Sequence, residues 1–397
     1  MAGTGPLQGI RILDLSIAAT GPLACSLLAD QGAEVIKVER PGIGDIGRWV
    51  GVSVNGMSAL YAACNRGKRC IAVDVHSDDG RDIVRRLARD ADVFVQNFRP
   101  GTLDRHGLGY GDLRADHDDL VYVSLSGFGA VGPYADKSAY DTVIQAYGGF
   151  GANQADPADG IPVFLRQTAA DKVTAFTAAQ AITAALLARE RGHGGQHVEL
   201  SMLDAVVSFL WADAAGNEVL MDSDGTRPSS FVSTFRPFRF RDGFGIATPT
   251  SDGDFVGIMR AFAIEGAEDP RVATIAERVK HGDLVSTMMN QCYEVATTLT
   301  TDEAMARLNA QRVPCGVVLS AAELVDDEHA QAIGLFVERE HAVVGRLRLP
   351  RHPILFAGTP AELGAGAPSL GEHTDEILAE IGLGARADAL RAAGVVA

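Results

Sequence analysis

The sequence predicts an α/β fold, with a parallel sheet covered by helices on both faces and a smaller α+β domain inserted after it. Three observations predict it. The first 130 residues alternate short apolar, β-rich runs with helical stretches. From about Tyr140 the pattern turns helical. Near residue 220 the composition shifts to Asp, Ser, Thr and Gly, as in a linker.

The elements follow in order. Ile10 to Leu15 (IRILDL) is the first strand, and Gly21 to Gln31 is a helix with Pro22 in its first turn. Glu34 to Val38 (EVIKV) is the second strand. Met57 to Cys64 is helical, and Cys70 to Val75 (CIAVDV) is the third strand. Gly80 to Arg89 is an amphipathic helix, Ala91 to Val95 the fourth strand and Leu120 to Leu125 the fifth. Such apolar strands, separated by helices, read as βαβ units. Asp171 to Arg191 is the clearest long helix, with Val173, Phe176, Ala179, Ile182 and Leu186 at helical spacing and glycines ending it. A short strand at His197 to Leu200 and a helix from Asp204 to Leu220 follow. Met221 to Pro237 reads as the linker. Phe244 to Thr248 and Phe255 to Met259 read as two strands separated by SDGD, with helices after them to about Gln311. Val343 to Leu349 is a late strand, and two short helices around Asp375 and Asp388 close the chain. The expected domains are 1–220, a small domain at 225–330, and a return to the large domain at 331–397.

The chain has 397 residues and a formal net charge of −16. An acidic protein of this kind is a poor partner for nucleic acid or anionic lipid, whose binding faces are basic. Any anionic ligand must therefore meet local positive charge. The five cysteines include no CxxC spacing, and no apolar run is long enough to span a bilayer. MAGTGPLQGIR runs straight into the first strand pattern without a signal-like stretch. Reduced thiols and a cytoplasmic location are expected.

Gly42 to Gly47 (GIGDIG) matches GxGxxG, but it follows the second strand and Pro41 instead of opening a helix after the first. It is read as a loop. Arg40, at the end of the second strand, sits where a ribose or its phosphate is met in nucleotide-binding α/β sheets. It suits the 2′-phosphate of NADP or the 3′-phosphate of CoA, and by position alone it is equally a solvated arginine. Lys68, Arg69, Arg99, Arg105 and Lys137 recur near predicted strand ends and loops, a grouping that suggests a multi-phosphate ligand. No GxxxxGK[ST], HExxH or GxSxG is present, and His193 and His197 have no matching ligands nearby, so no metal site is expected. Asp171 opens the long helix. By position it is an N-cap aspartate. A helix N-terminus also lowers a carboxylate's pKa and keeps it ionised, as a nucleophile requires.

Several segments, in order, resemble the class III CoA-transferases of the CaiB/BaiF type, which include formyl-CoA transferase and α-methylacyl-CoA racemase. They are ILDLSIAATGPLACSLLADQGAEVIKVERPGIGD, NRGKRCIAVDV, ADVFVQNFRPGTLDRHGLGY, VYVSLSGFGAVGPYADKSAYDTVIQAYGG, AADKVTAFTAAQAITAALLARERGHGGQHVELSMLDA, DPR from Asp269, VPCGVV from Val313, VGRLRLPRHPILF from Val344 and PSLGEHTDEIL from Pro368. The ordered set spans nearly the whole chain and is highly specific.

The resemblance implies a Rossmann-like large domain, a ring-shaped chain and an interlocked homodimer. It implies acyl-CoA and a carboxylic acid as substrates, with no permanently bound cofactor. The CoA contacts it places are Arg40, Lys68, Arg69, Asn97, Phe98, Arg105 and Lys137, and the nucleophile falls on Asp171. A mixed anhydride and an aspartyl-CoA thioester would divide the exchange into easier steps. Two positions depart from relatives. Tyr140 stands where the racemase branch carries a histidine, and a phenol of pKa ~10 is a poor base at neutral pH. Ala19 stands where the formyl-CoA enzymes carry a glutamine, and the glycine-run lid of those enzymes has no counterpart. The reading is acyl-CoA:carboxylate CoA transfer, with Ala19 leaning towards a larger acyl group than formate or oxalate. The alternatives are an α-methylacyl-CoA racemase on the same fold, an NADP-dependent oxidoreductase and an inactive CoA-binding protein.

Overall fold

A computed structural model describes residues 5–156, 159–225 and 236–397. It divides into two compact units, residues 1–223 with 334–397, and residues 224–333. Among the described residues no helix is long and apolar enough to cross a membrane.

The first unit is built on a six-stranded sheet. Its strands are β1 (Arg11–Asp14), β2 (Glu34–Glu39), β3 (Lys68–Ala72), β4 (Val93–Gln96), β5 (Val121–Ser126) and β6 (His197–Ser201). All pairings are parallel, and the spatial order is β3-β2-β1-β4-β5-β6. That is the order of a doubly wound α/β sheet, whose topological switch point lies between β1 and β4. Alternation sorts the side chains. Leu13, Ile36, Phe94 and Tyr122 fall in register and bury on one face. Ile12, Val35, Val93 and Val121 bury on the other. Because both faces are covered, the strands read as nearly unbroken apolar runs.

The helices of this unit include α1 (Thr20–Asp30), α2 (Ala59–Cys64), α3 (Asp78–Arg89), α4 (Tyr110–Asp116), α5 (Asp141–Tyr147), α6 (Phe150–Asn153), α7 (Ala169–Ala188) and α8 (Met202–Trp211). Helix α1 packs against α7 and shares its core. Ile83, Val84 and Leu87 of α3 cover the opposite face, with Ile377, Leu378 and Leu390 from the two C-terminal helices, Thr374–Glu380 and Ala387–Ala392.

Two helices expected to open at an aspartate begin two residues earlier. Helix α7 starts at Ala169 after Thr168, so Asp171 is its third residue and not its cap. Helix α8 starts at Met202, where Ser201 accepts from the Asp204 amide at 2.9 Å, and it stops at Trp211 instead of running to Leu220. In both, the aspartate reinforces the first turn from within it. The GIGDIG segment is a loop followed by a single 3₁₀ turn, Ile46–Trp49. The late strand lies at Gly345–Pro350 and pairs with Phe336–His341. That partner carries no strand signal, because FVEREH has charge on both faces and no apolar alternation.

The second unit is α+β. Phe238–Arg239, Phe244–Ala247 and Cys315–Val317 form a small antiparallel sheet. The expected strand at Phe255 to Met259 is instead part of the helix Asp252–Ala261. Ser251 and Asp254 form a capping box there, so SDGD starts a helix and is not a hairpin turn. Phe255, Ile258, Met259 and Phe262 then bury one helical stripe. The Asp-Gly hairpin lies earlier, at Asp242-Gly243, where Phe240 N–H donates to Gly243 O at 2.9 Å. The sequence expectation of a linker at Met221 to Pro237 falls partly outside the described residues. All five cysteines are free.

Candidate active site

The chain leaves β1 at Asp14 and must enter α1 at Thr20 within a few residues. That turn passes the carboxyl ends of the strands at the switch point, where α/β sheets bind ligands. Three devices fix it. Asn97, just beyond β4, grips Ile17 by both backbone groups: its Oδ1 accepts from Ile17 N at 2.9 Å and its Nδ2 donates to Ile17 O at 2.8 Å. Asp45 Oδ1 accepts from Ala18 N at 2.8 Å, and Ala18 has a left-handed φ of 68°. Gly21 lies so close to Ser16 that a Cβ there would sit 2.2 Å from Ser16 Oγ. Only glycine fits that position.

An ionic cluster supports this loop from below. Lys37 Nζ donates to Asp45 Oδ2 at 2.8 Å and also to Ser16 O. Asp14 is fully buried between Lys37 and Lys68, the latter at 2.8 Å. Glu39 takes a bidentate pair of bonds from Arg48, both at 2.8 Å, and one from Tyr61 Oη at 2.5 Å. Burial raises the pKa values of Asp14 and Glu39, but their cations outweigh it. Asp14 stays below the ordinary carboxylate range, and Glu39 is held down at about 2.

Beside this cluster is a cavity of about 310 Å³. Ile17, Arg40, Ile43, Trp49, His76 and Phe98 are among its walls. It therefore brings together two residues singled out from the sequence, Arg40 and Phe98. Arg40 has no ion-pair partner among the described residues, so its charge is available.

Asp171 lies on the α1 side of the sheet. The Thr20 hydroxyl, on the first residue of α1, donates to Asp171 Oδ1. Asp171 Oδ2 accepts no hydrogen bond from the described residues and is not fully enclosed. The Asp171 amide, one of the orphan donors of a helix start, donates to Asp141 Oδ1 at 3.0 Å. Gln145 Nε2 holds Asp141 Oδ2 at 2.6 Å and Gln167 O at 3.1 Å. Burial pushes the Asp171 carboxyl up to about 6; the Thr20 hydrogen bond opposes it most, the nearby Asp141 charge adds to it, and Lys172 opposes it least. This corrects the expectation that the helix start would hold its pKa low. Desolvation outweighs the favourable end of the helix. At neutral pH the group is still mainly ionised.

The other expected residues fall in different places. Lys68 opens β3 and faces inward, with its ammonium on Asp14 Oδ2, Asn65 Oδ1 and Pro22 O. Arg69 points to the opposite face, where it pairs with Glu34, Glu376 and Glu380. Neither is a free cation at the carboxyl edge, because adjacent strand residues face opposite sides and both sit at the amino end of the strand. Arg105 is exposed, with one 3.3 Å bond to Thr102 Oγ1. Arg99 donates to Ser138 Oγ at 2.6 Å. The Lys137 ammonium lies 4.1 Å from the Tyr147 ring centroid and 4.9 Å from that of Tyr134, with Phe128 alongside. Ala19 is buried, while Tyr140 is 76% exposed just before α5. Sequence reasoning missed Thr20, Asp45, Asp141 and Gln145. Of these, only Thr20 left a trace, as a hydroxyl residue just before Gly21-Pro22 at a helix start.

A family model described as CoA-transferase family III matches residues 7–374. A succinate–glutarate CoA-transferase of Agrobacterium fabrum is 35% identical, covering 95% of this chain and 96% of its own length. A formyl-CoA:oxalate CoA-transferase of Bradyrhizobium is 32% identical over 95% of this chain and 94% of its own. The crystal structure of a CaiB/BaiF family protein from Brucella suis superposes with a TM-score of 0.80 at 32% identity, covering 95% of this chain and 99% of that one. With the parallel sheet, the cavity at its switch point and these full-length matches together, the chain belongs to CoA-transferase family III and is a transferase.

Proposed function

We propose that this protein is an acyl-CoA:carboxylate CoA-transferase with Asp171 as its covalent nucleophile. One observation carries the reading. Asp171 is a half-buried carboxylate with one oxygen bonded to Thr20 and, among the described residues, no partner on the other oxygen and no paired cation. An unpaired carboxylate in such a setting is costly to keep for structural reasons alone and is a candidate for chemistry.

In this reading Oδ2 attacks the thioester carbonyl of the acyl-CoA. The C–S bond breaks and CoA leaves as thiolate, giving a mixed anhydride. The thiolate attacks the aspartyl carbonyl carbon, the C–O bond to Oδ2 breaks, and the first acid leaves as a carboxylate. The acceptor carboxylate then runs the same steps in reverse on the aspartyl-CoA thioester. Covalent catalysis divides the transfer.

The CoA nucleotide takes the cavity bordered by Arg40 and Phe98, and Arg105 and Lys137 supply further positive charge. Asn97 acts by holding the loop at Ile17. Lys68 and Arg69 serve the ionic framework and the opposite sheet face, not CoA. The names of the relatives put dicarboxylic acids of succinate or glutarate size first among the acids to assay. The buried Ala19 favours these over formate. Exposed Phe176 and Leu187 on α7 and Phe209 and Trp211 on α8 support a homodimer that covers them. Free, mostly buried cysteines suit a cytoplasmic protein.

Mass spectrometry of the Asp171 peptide after acyl-CoA and hydroxylamine tests the mechanism. A hydroxamate at Asp171, absent in Asp171→Asn, is the expected result. An unmodified peptide during active CoA exchange would overturn it.

A further inference from the structure

The reaction puts negative charge on Asp171 itself. When CoA thiolate attacks the aspartyl carbonyl carbon, the C–S bond forms and the carbonyl electrons move onto the oxygen that stayed with the aspartate. That oxygen is Oδ1, because Oδ2 carries the acyl group. The same oxyanion forms again when the acceptor acid attacks the aspartyl-CoA thioester. Each tetrahedral adduct needs a donor already in place.

The structure offers one such side chain. Thr20 Oγ1 already donates to Oδ1, and no other side chain among the described residues donates to the Asp171 carboxylate. The nearest cation in sequence, Lys172, has its ammonium on Gln167 Oε1 at 2.9 Å. The neighbouring Asp141 is a carboxylate and opposes further negative charge. Thr20 is also the first residue of the eleven-residue helix α1, so the bond to Oδ1 leaves from the positive end of that helix. It is 4% exposed, so water competes little for its hydroxyl.

We propose that the Thr20 hydroxyl is a catalytic residue, the oxyanion donor to Oδ1 in every step at the aspartyl carbonyl. In the resting enzyme the same bond occupies Oδ1 and leaves Oδ2 as the attacking oxygen. No proton is transferred. The hydroxyl keeps its hydrogen while charge grows on Oδ1 and returns as the adduct collapses. This rests on the reading of Asp171 as nucleophile.

The test is rapid-quench measurement of aspartyl-CoA formation in a single turnover, with wild type, Thr20→Val and Thr20→Ser. Loss of one oxyanion donor costs about 10²–10³-fold. Thr20→Val, which keeps the side-chain shape, is expected to slow thioester formation and discharge by about that factor. Thr20→Ser is expected to stay within about tenfold of wild type, because the donor survives. Unchanged CoA affinity in both variants is the accompanying sign of an intact site. Thr20→Val at the wild-type rate would overturn the proposal, and so would equal slowing of both variants, which marks a packing role. If wild type exchanges CoA with no adduct on Asp171, the nucleophile assignment falls and takes this one with it. If the adduct forms in wild type and Thr20→Val discharges it normally, only Thr20 falls.

Discussion

Two groups of carboxylates, one fully buried and one half-buried, lie on the same side of the same sheet, and they are treated in opposite ways. Asp14, Glu39 and Asp45 each face a buried cation: Lys68 or Lys37, Arg48, and Lys37. Asp171 faces a hydroxyl, and its nearest charged neighbour across the packing is another carboxylate. Burial acts on Asp14, Glu39 and Asp171 in the same direction, raising the pKa. The partners decide the outcome, with Glu39 at about 2 and Asp171 at about 6. A carboxylate saturated with bonds holds a loop in place. One left short of bonds retains free lone pairs, which the proposed mechanism turns on a thioester.

The largest expected effect breaks the second half of this comparison. Asp171→Asn should lower CoA exchange by at least ~10³-fold, because a carboxamide is not a nucleophile. The same change removes an ionised group that folding disfavours, so it should also stabilise the protein, by about 1–3 kcal/mol at pH 8. A variant that loses activity and melts lower than wild type would place Asp171 among the structural carboxylates.

Glu39→Gln attacks the first half. It leaves Arg48 short of its bidentate partner inside the protein. Removing one partner of a buried pair costs ~3–5 kcal/mol, which should lower Tm by roughly 10 °C. Calorimetry checks this, and a Tm within a degree or two of wild type would mean that the cluster does not hold the loop.

Acid sharpens the contrast next. The folded Asp171 carboxyl keeps its proton to higher pH than the unfolded one, so its contribution to stability is greatest at low pH. That contribution falls as pH rises from its ordinary 3.8 to about 6. Activity that needs the carboxylate rises over the same upper range, with an acid limb near 6 in kcat/KM. Glu39 has the opposite sign: its contribution to stability is full above its ordinary 4.5 and is lost as pH falls from there to about 2. Stopped-assay pH profiles of wild type and Asp171→Asn melting curves separate the two.

The smallest expected effect concerns the cavity. Arg40→Ala should raise KM for acyl-CoA about tenfold, the worth of a charge-assisted bond, and leave kcat nearly unchanged. A thioester of dephospho-CoA should show little difference between the two proteins. Equal losses on both substrates would remove the 3′-phosphate from Arg40.

Much of the fold was legible, because five apolar strands of a doubly covered sheet announce themselves without a partner sequence. The exceptions have local causes. SDGD looks like a turn until Phe255, Ile258, Met259 and Phe262 are counted together at helical spacing. The site was less legible. Asp171 stood out by its family match, but the hydroxyl that meets it lies 151 residues away. No spacing rule links the two. Lys68 and Arg69 looked alike as neighbouring charges, yet strand alternation sends one to Asp14 and the other to Glu34. The pKa of Asp171 was misjudged because position on a helix is visible in a sequence and desolvation is not.

Asp45 lines the cavity and also holds the Ala18 amide, two residues before Thr20. In the proposed function, the handle of the substrate and its reacting end are thus read by one continuous stretch of backbone. An acyl-pantetheine, which has the thioester but no nucleotide, would leave this stretch without its load. It should lose turnover as well as affinity, since binding energy gathered at a distant point is what aligns the reacting atoms. The grip on the nucleotide would then act as a lever on the chemistry.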